Sequence, residues 1–271
     1  MLGRTATLPL MPELPEVEAY RRLAEESALG RPVARVVAPD GWYLKKGLTA
    51  RALAGALVGR SFAAADRIGK LLLLVTDDGP TIGLRFGMSG RLVVDGRAGV
   101  DGLLYSSNVA KDRYDRIVIG FADGGDLRMR DPRRLGGVEL EPDVAPLGPD
   151  ALGVGAAALG KALAGSTAPL KARLLDQSRV AGIGNLIADE VLWRASLSPE
   201  RPAGSLSAAE LRRLHRHLGR ALADLLARGG SHTGDLLPHR RPGGMCPRDG
   251  TPLVRATIGG RTTAWCPTCQ K

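Results

Sequence analysis

The feature that most constrains the fold is a change in hydrophobic pattern at the proline-rich residues 141–149. Before this segment, short apolar runs alternate with turn signals such as Asp77-Asp78-Gly79, a pattern typical of β-strands. After it, apolar residues recur at spacings of three and four, most clearly over residues 208–227, which is the helical period. The sequence therefore predicts an α+β fold in which a β-rich region precedes a helical one.

The individual elements follow from the same patterns. We predict a first helix over residues 15–29, with Pro15 in its first turn and an apolar face formed by Val17, Tyr20, Leu23 and Ala24. The predicted strands, which we expect to form a sandwich or flattened barrel, are 33–37, 70–75, 81–86, 91–94, 116–121, 127–130 and 137–140. The later predicted elements are helices 155–164, 169–176, 185–195 and 208–227 and a hairpin at 253–263.

Charge and cysteine content narrow the class of protein. Lys and Arg number 38 against 28 Asp and Glu, a net charge of +10, which indicates either a well-solvated basic surface or a polyanionic partner such as nucleic acid. We find no secretory signal in the first ten residues and no apolar stretch of the roughly 18 residues that a membrane span needs. The three cysteines, all between Cys246 and Cys269, favour a local metal site in a reducing cytoplasm over a disulfide framework.

The segment Met11-Pro12-Glu13-Leu14-Pro15-Glu16-Val17-Glu18 suggests chemistry at an N-terminus. Removal of Met11 would leave a secondary amine at Pro12, and such an amine can attack a sugar C1′ to form an iminium. Glu13 would then be placed to act as general acid on the ring oxygen. The alternative is an ordinary proline-initiated helix whose acidic residues suit the helix dipole.

This segment resembles the opening of the bacterial formamidopyrimidine-DNA glycosylases, relatives of endonuclease VIII. Five further motifs follow in the family's order, at residues 67–73, 87–90, 131–136, 171–177 and 180–190. The resemblance covers residues 11–271 and implies a β-sandwich with a leading catalytic helix (11–141) and a linker (142–153). A helix–two-turns–helix domain (154–239) and a zinc-finger-like hairpin (240–271) complete the implied fold. Residues 1–10 are then an extension that we expect to lie outside the functional chain.

The resemblance also implies a function, the excision of oxidised or ring-opened bases from double-stranded DNA in base excision repair. It implies a Schiff base at Pro12 and abasic-site lyase activity by β,δ-elimination, in a cytoplasmic, nucleoid-associated monomer that binds no membrane. The implied catalytic residues are Pro12, Glu13, Glu16 and Lys70. The implied DNA-backbone contacts are Lys171, Asn185 and Arg261, and the wedge that fills the space of the flipped base is Met88, Arg133 and Leu135.

The cysteines predict a metal site of altered composition. Cys266-Pro267-Thr268-Cys269 has zinc-knuckle spacing, whereas the partner half Cys246-Pro247-Arg248-Asp249 carries Asp249 where the resembling family has its second cysteine. Because zinc accepts carboxylate oxygen, we expect one structural Zn²⁺ held by Cys246, Asp249, Cys266 and Cys269. The alternatives are His239 as the fourth ligand and a hairpin that folds without metal.

The sequence departs from the family's pattern in three places. Ten residues precede Met11, and an internal Pro12 would have no free amine. Only 14 residues separate Ser231 from Cys246, a shorter stretch than in the family members that recognise 8-oxoguanine. Leu135 and Ile187 stand where the family usually has Phe and Tyr. An endonuclease VIII-like preference for oxidised pyrimidines and a damaged-DNA-binding protein that does not cut are therefore kept as alternatives.

Overall fold

The computed structural model of the protein describes residues 12–100 and 112–271. These residues form two compact units. One contains Pro12 and the described part of Glu16–Val144, and the other contains Glu13–Pro15 and Ala145–Lys271. The predicted extension 1–10 and Met11 lie outside the described residues. No helix in the described part of the chain is long and apolar enough to cross a lipid bilayer.

The first unit is an antiparallel β-sandwich preceded by helix α1 (Leu14–Ser27), with helix α2 (Ala50–Leu57) after the first strand. Its strands are β1 (Val33–Val37), β2 (Phe62–Ile68), β3 (Leu71–Thr76), β4 (Ile82–Arg85), β5 (Arg91–Val94), β6 (Arg97–Ala98), β7 (Asp115–Phe121), β8 (Asp126–Arg130) and β9 (Gly137–Leu140). One sheet has the order β1-β7-β8-β5-β6 and the other β2-β3-β4-β9. The sandwich and its leading helix are as the sequence predicted.

A single apolar core joins the two sheets. Alternate residues of the strands point into it, as Leu72 and Leu74 of β3 and Ile117 and Ile119 of β7 do. The expected face of α1 is buried in the same core, through Val17, Tyr20, Leu23 and Ala24. The strands β2 and β6 and the helix α2 were not predicted from the sequence.

The second unit is helical and ends in a hairpin. Its helices are α3 (Ala156–Leu163), α4 (Leu170–Leu175), α5 (Asn185–Arg194) and α6 (Ala208–Ala227), and the hairpin pairs β10 (Val254–Ile258) with β11 (Arg261–Trp265). The α6 stripe is buried at Leu214, Leu218, Leu222 and Leu225, and Leu211 packs partly buried at its edge. Ser207 and Glu210 form a reciprocal capping box that fixes the start of α6.

Candidate active site and metal centre

Glu13, the predicted general acid, is held by the first turn of α5. Its carboxylate oxygens accept hydrogen bonds from the backbone N–H groups of Leu186 at 2.8 Å and Ile187 at 3.0 Å. These amides have no partner inside the helix and carry the positive end of its dipole, so they suit an anion. These hydrogen bonds fix the Glu13 side chain. Glu13 directly follows Pro12 in the chain, and Pro12 is the buried residue predicted to be the nucleophile.

The approach of Glu13 depends on Gly184, the residue that caps α5. A Cβ added at Gly184 would lie 2.1 Å from the Glu13 carboxyl carbon, a distance at which one of the two must move. Gly184 has φ −112°, a value open to any residue, so the close contact and not the backbone conformation requires glycine here. Glycine at position 184 of the Gly182-Ile183-Gly184-Asn185 turn therefore leaves the space that the Glu13 carboxylate occupies.

Glu16 lies fully buried in the first turn of α1. Its negative charge adds to the effect of burial in raising the pKa of Tyr20, whose hydroxyl donates to the Gly90 carbonyl oxygen at 3.3 Å. Arg91, also buried, opposes that shift. Glu16 therefore belongs to a buried polar group that ties α1 to the loop before β5.

Lys70 lies at the tip of the β2–β3 hairpin, as the predicted hairpin motif required. Ile68 pairs with Leu71, so Gly69 and Lys70 form a two-residue turn. Gly69 has φ +57°, and glycine in the first central position is the signature of a type II′ turn. The turn places Lys70 at the end of the β2–β3 ribbon, where it is half-buried.

The two loops predicted to form the wedge are joined by one carboxylate. Asp131, fully buried, accepts a hydrogen bond from the Ser89 hydroxyl and another from the Gly136 amide at 2.8 Å. Met88 precedes Ser89, and Leu135 precedes Gly136. The structure thus brings together the loops that carry Met88, Arg133 and Leu135, and the Leu135 side chain is 50% exposed.

Lys171 lies at the centre of a buried ionic network. Its side chain is 0% exposed, and its ammonium is 2.7 Å from Asp189 and donates to the Thr263 hydroxyl at 2.7 Å. Arg240 forms a second ion pair with Asp189 at 2.7 Å. Burial lowers the pKa of Lys171, although Asp189 opposes the shift. The phosphate contact expected of Lys171 stays a prediction, because in this structure its ammonium has protein partners.

Asn185 and Arg261, the other expected backbone contacts, lie at the ends of elements. Asn185 is the first residue of α5, and its side-chain oxygen is buried without a hydrogen bond among the described residues. Arg261 is exposed and opens β11, directly after the turn at Gly259 and Gly260. Ile187, which replaces the family's usual Tyr, is fully buried in the helical core.

The four predicted metal ligands form one cluster. The ligand atoms of Cys246, Asp249, Cys266 and Cys269 all lie within 4.8 Å of one another, and His239 is not among them. The sulfurs of Cys246 and Cys269 are 3.8 Å apart, and the Cys266 sulfur lies 3.3 Å from an Asp249 oxygen. A tetrahedral zinc with bonds of about 2.3 Å to sulfur and about 2.0 Å to oxygen needs separations of about 3.8 and 3.5 Å. The residues therefore fit a metal of this size.

Three supporting residues were not identified from the sequence. Asp131, Asp189 and Gly184 all lie inside the motifs named above, but the sequence predicted no role for the two aspartates. For Gly184 it predicted only a turn whose amides could bind phosphate, whereas the amides that follow it bind Glu13. The available signal was an acidic residue among apolar neighbours, since Asp189 follows Ile187 and Ala188 on a helix that is buried along most of its length. A buried acid of this kind is almost always paired.

Family comparisons agree with this architecture. The formamidopyrimidine-DNA glycosylase N-terminal domain matches residues 11–138, and the formamidopyrimidine-DNA glycosylase H2TH domain matches residues 147–235. The chain is 36% identical to the formamidopyrimidine-DNA glycosylase of Paracoccus denitrificans, with 96% of this chain and 100% of the relative covered. It is 37% identical to that of Thermus thermophilus, with 96% and 98% covered.

Solved structures show the same similarity. The complex of Lactococcus lactis Fpg with DNA containing an abasic site matches with a TM-score of 0.81 and 26% identity, over 96% of this chain and 99% of that one. The complex of the Lactococcus lactis protein with DNA containing Fapy-dG matches with a TM-score of 0.81 and 26% identity, over 96% and 100%. The chain therefore belongs to the formamidopyrimidine-DNA glycosylase family of base-excision-repair enzymes.

Proposed function

We propose that the protein is a bifunctional DNA glycosylase and abasic-site lyase that removes oxidised or ring-opened bases from duplex DNA. The proposal rests on the two hydrogen bonds that the α5 amides donate to the carboxylate of Glu13, the residue after Pro12. A carboxylate fixed beside a potential N-terminal amine fits the iminium chemistry of this family. The similarity to Lactococcus lactis Fpg, solved with abasic-site and Fapy-dG DNA, supports the substrate class.

The proposed reaction first removes the damaged base, then opens the sugar, and finally cuts the strand on both sides of the lesion. The Pro12 nitrogen attacks C1′ of the damaged nucleotide, the glycosidic bond breaks, and the base leaves with its electron pair. The Pro12 nitrogen loses its N–H proton, and the departing base takes up a proton. Glu13 protonates the ring oxygen, so the sugar opens and a Pro12 iminium forms. A base then removes the C2′ proton, and the electrons of that C–H bond expel the 3′ phosphate. A second elimination, with loss of the C4′ proton, expels the 5′ phosphate, and water hydrolyses the iminium to release Pro12. Glu16 supports the site, and Lys70 aids elimination and holds phosphate.

This route requires Pro12 to carry a free amine, because an internal proline nitrogen is a tertiary amide without an available lone pair. We propose that the functional chain begins at Met11 and is processed to Pro12. N-terminal sequencing of the native protein tests the point. An intact Met1 segment on active enzyme would contradict it.

We propose that the remaining site residues divide between backbone contact and void filling. Lys171, Asn185 and Arg261 contact phosphates, and Met88, Arg133 and Leu135 occupy the space that the extruded base leaves. The proposed division of the chain follows, with a catalytic domain at 11–141, a linker at 142–153 and DNA-holding modules at 154–239 and 240–271. We expect the enzyme to work in the cytoplasm, at the nucleoid.

We also propose that the four-residue cluster holds one Zn²⁺. Cys246, Asp249, Cys266 and Cys269 would be the ligands, and the metal would supply rigidity to the hairpin and no catalytic chemistry. The 3.8 Å separation of two of its sulfurs supports a tetrahedral site. Arg248 anchors the first half, since its guanidinium stacks over Trp193 and donates to the Ser196 hydroxyl at 2.7 Å.

Borohydride trapping on abasic-site DNA tests the enzyme assignment. The chain beginning at Met11 should form a covalent adduct, and Pro12→Gly and Glu13→Gln should lose base excision while retaining duplex binding. Arg261→Ala is the contrasting variant, since it should weaken binding to all sequences and reduce the salt slope by about one unit. Trapping of Pro12→Gly at the wild-type rate would exclude Pro12 as the nucleophile.

Two rival functions are outcomes of the same experiments. A protein that binds abasic DNA tightly but never traps is a damaged-DNA-binding protein without lyase activity. The stretch from Ser231 to Cys246 favours an endonuclease VIII-like substrate range, because it holds two short 3-10 turns, Ser231–Thr233 and Leu237–His239, and no longer insertion. Excision of oxidised pyrimidines in preference to formamidopyrimidines would establish that range.

A further inference from the structure

We propose that Trp42 is a further DNA contact, whose indole stacks on an exposed nucleobase of the lesion-containing duplex. The inference rests on the proposed function and adds a residue to its binding surface. Trp42 is 70% exposed, whereas Trp265 is 6% exposed and Trp193 is partly covered by Arg248. A large aromatic side chain contributes most to binding when a partner buries it, and the exposed Trp42 ring has this surface still to bury.

The backbone that carries Trp42 is rigid. Trp42 is the middle residue of a 3-10 turn, Gly41–Tyr43, and the side chain of Tyr43 is completely buried in the sandwich core. The Trp42 carbonyl oxygen accepts a hydrogen bond from the Lys45 ammonium at 2.8 Å. An aromatic ring on a fixed turn loses little freedom on binding, which favours its use as a contact.

The turn is joined to the loop that carries the proposed wedge residues Arg133 and Leu135. Asp40, directly before the turn, accepts two hydrogen bonds of 2.6 Å from the Arg134 guanidinium, and these hold the pKa of Asp40 below its usual value. Gly136 lies so close to Tyr43 that an added Cβ would be 2.3 Å from the Tyr43 hydroxyl. The indole and the wedge loop therefore belong to one continuous part of the first unit.

The surrounding charge identifies the class of ligand. The turn and the loop expose Lys46, Arg133 and Arg134 and leave Lys45 half-buried, while Asp40 and Asp131 are buried. Lys46 pairs with the buried Glu139 at 3.1 Å, and the cavity beside Trp42 is lined by the exposed Asp112 as well as by Arg113 and Arg134. The Lys45 ammonium lies 5.1 Å from the centre of the Trp42 ring. An aromatic face among cations fits a nucleotide, because the base can stack on the ring while the cations attract phosphate. This stacking also supplies an aromatic contact that Leu135 cannot make, because Leu135 stands where the family usually has Phe.

The test is the affinity of the enzyme for a labelled duplex that contains a tetrahydrofuran abasic analogue. Trp42→Ala should weaken binding about tenfold, at the lower end of the cost of removing a stacking aromatic, and Trp42→Phe should restore most of it. The salt slope should stay unchanged, since no charge is removed. The fluorescence of Trp42 should fall on binding, and this change should be absent from Trp42→Phe.

Val58→Ala is the control, an exposed apolar residue at the end of α2 in the same unit. It should leave affinity unchanged. Equal affinity of Trp42→Ala and the wild type would overturn the proposal, as would a Trp42-dependent self-association of the free enzyme without effect on DNA binding. Failure of the wild type to bind or trap abasic DNA would instead remove the proposed function, so the two failures are distinguishable.

Discussion

The hydroxyl of Ser89 donates a hydrogen bond to the carboxylate of Asp131, and through this contact two loops of the β-sandwich share one buried anchor. Asp131 also accepts the Arg133 amide at 3.1 Å and the Gly136 amide at 2.8 Å. Met88, Arg133 and Leu135 thus stand on loops whose separation is set by a single side chain.

The first prediction concerns this anchor. Ser89→Ala should lower the free energy of unfolding by about 1–2 kcal/mol, because a buried carboxylate loses a donor. Single-turnover base excision should fall further than duplex binding does. Ser178→Ala is the matched control, since its hydroxyl also donates to an aspartate, Asp176, at 2.6 Å, but in an exposed turn. Urea unfolding that showed equal effects for the two variants would contradict the anchor role.

The second prediction concerns Gly184. Gly184→Ala should displace the Glu13 carboxylate, whose carbon would lie 2.1 Å from the new Cβ. Base excision should fall at least tenfold while DNA binding persists. Gly155→Ala provides the comparison, since Gly155 also caps a helix and its added Cβ would meet nothing within 4 Å. Wild-type excision rates in Gly184→Ala would show that Glu13 does not depend on this approach.

The third prediction concerns the stability that Asp189 gives to the buried ionic network around Lys171. Asp189→Asn should destabilise the protein by about 3–5 kcal/mol, because Lys171 and Arg240 would be left buried without a counter-charge. Asp224→Asn removes an exposed partner of Arg194 and should cost under about 1 kcal/mol.

Lys171→Met tests the same network from the other side. If Lys171 mainly supports the hairpin, the variant should lose stability without changing the salt slope of DNA binding. If Lys171 contacts phosphate directly, the slope should fall by about one unit. Arg261→Ala, with no role in the network, gives the reference slope.

The fourth prediction is a pH dependence at the start of α6. Hydrogen bonds from Arg201, and then from the Ser207 amide, lower the pKa of Glu210 from 4.5 to about 2. A carboxyl group whose pKa is lowered in the folded protein stabilises the fold at pH values above its ordinary pKa of 4.5. This stabilisation is lost as the pH falls toward 2. Glu210→Gln should therefore lower the unfolding free energy by about 1 kcal/mol at pH 7 and progressively less below pH 4.5.

The fifth prediction concerns the metal. Elemental analysis should find one zinc, and a chelator should remove it more readily than from Asp249→Cys, because a carboxylate is a harder ligand than a thiolate. Metal loss should weaken DNA binding before it affects the catalytic unit. Protein without zinc would indicate a hairpin held by the packing of Trp265. An unchanged zinc retention in Asp249→Cys would exclude Asp249 as a ligand.

The elements that the sequence predicted well are those with strong local patterns. Helix α6 begins and ends at the predicted residues, because Ser207 and Glu210 provide a capping signal and the leucines a clear period. Strand β2 was missed since its Phe-Ala-Ala-Ala-Asp-Arg-Ile sequence has little β-propensity, and its pairing with β3 decides its conformation. Helix α2 was missed although its Ala- and Leu-rich sequence and the Thr49 N-cap both favour a helix.

The site was predictable where a residue's role follows from its own motif, and less so where the role depends on a distant partner. The four metal ligands follow from spacing, and the cluster contains all of them. No local pattern reports that Asp189 meets both Lys171 and Arg240, or that Gly184 makes room for Glu13. Such contacts join residues more than 15 positions apart, so only the folded chain defines them.

The shared carboxylate of Asp131 has a consequence for how substrate preference can change. The residues at the loop tips are Met88, Arg133 and Leu135. Of these, Arg133 secures its loop through its backbone amide, which every residue except proline retains. Tips can therefore be exchanged one at a time, for example Leu135→Phe, while the spacing between them is preserved. Libraries that vary the three tips and keep Ser89, Asp131 and Gly136 constant should retain folded enzymes and sample new lesion preferences.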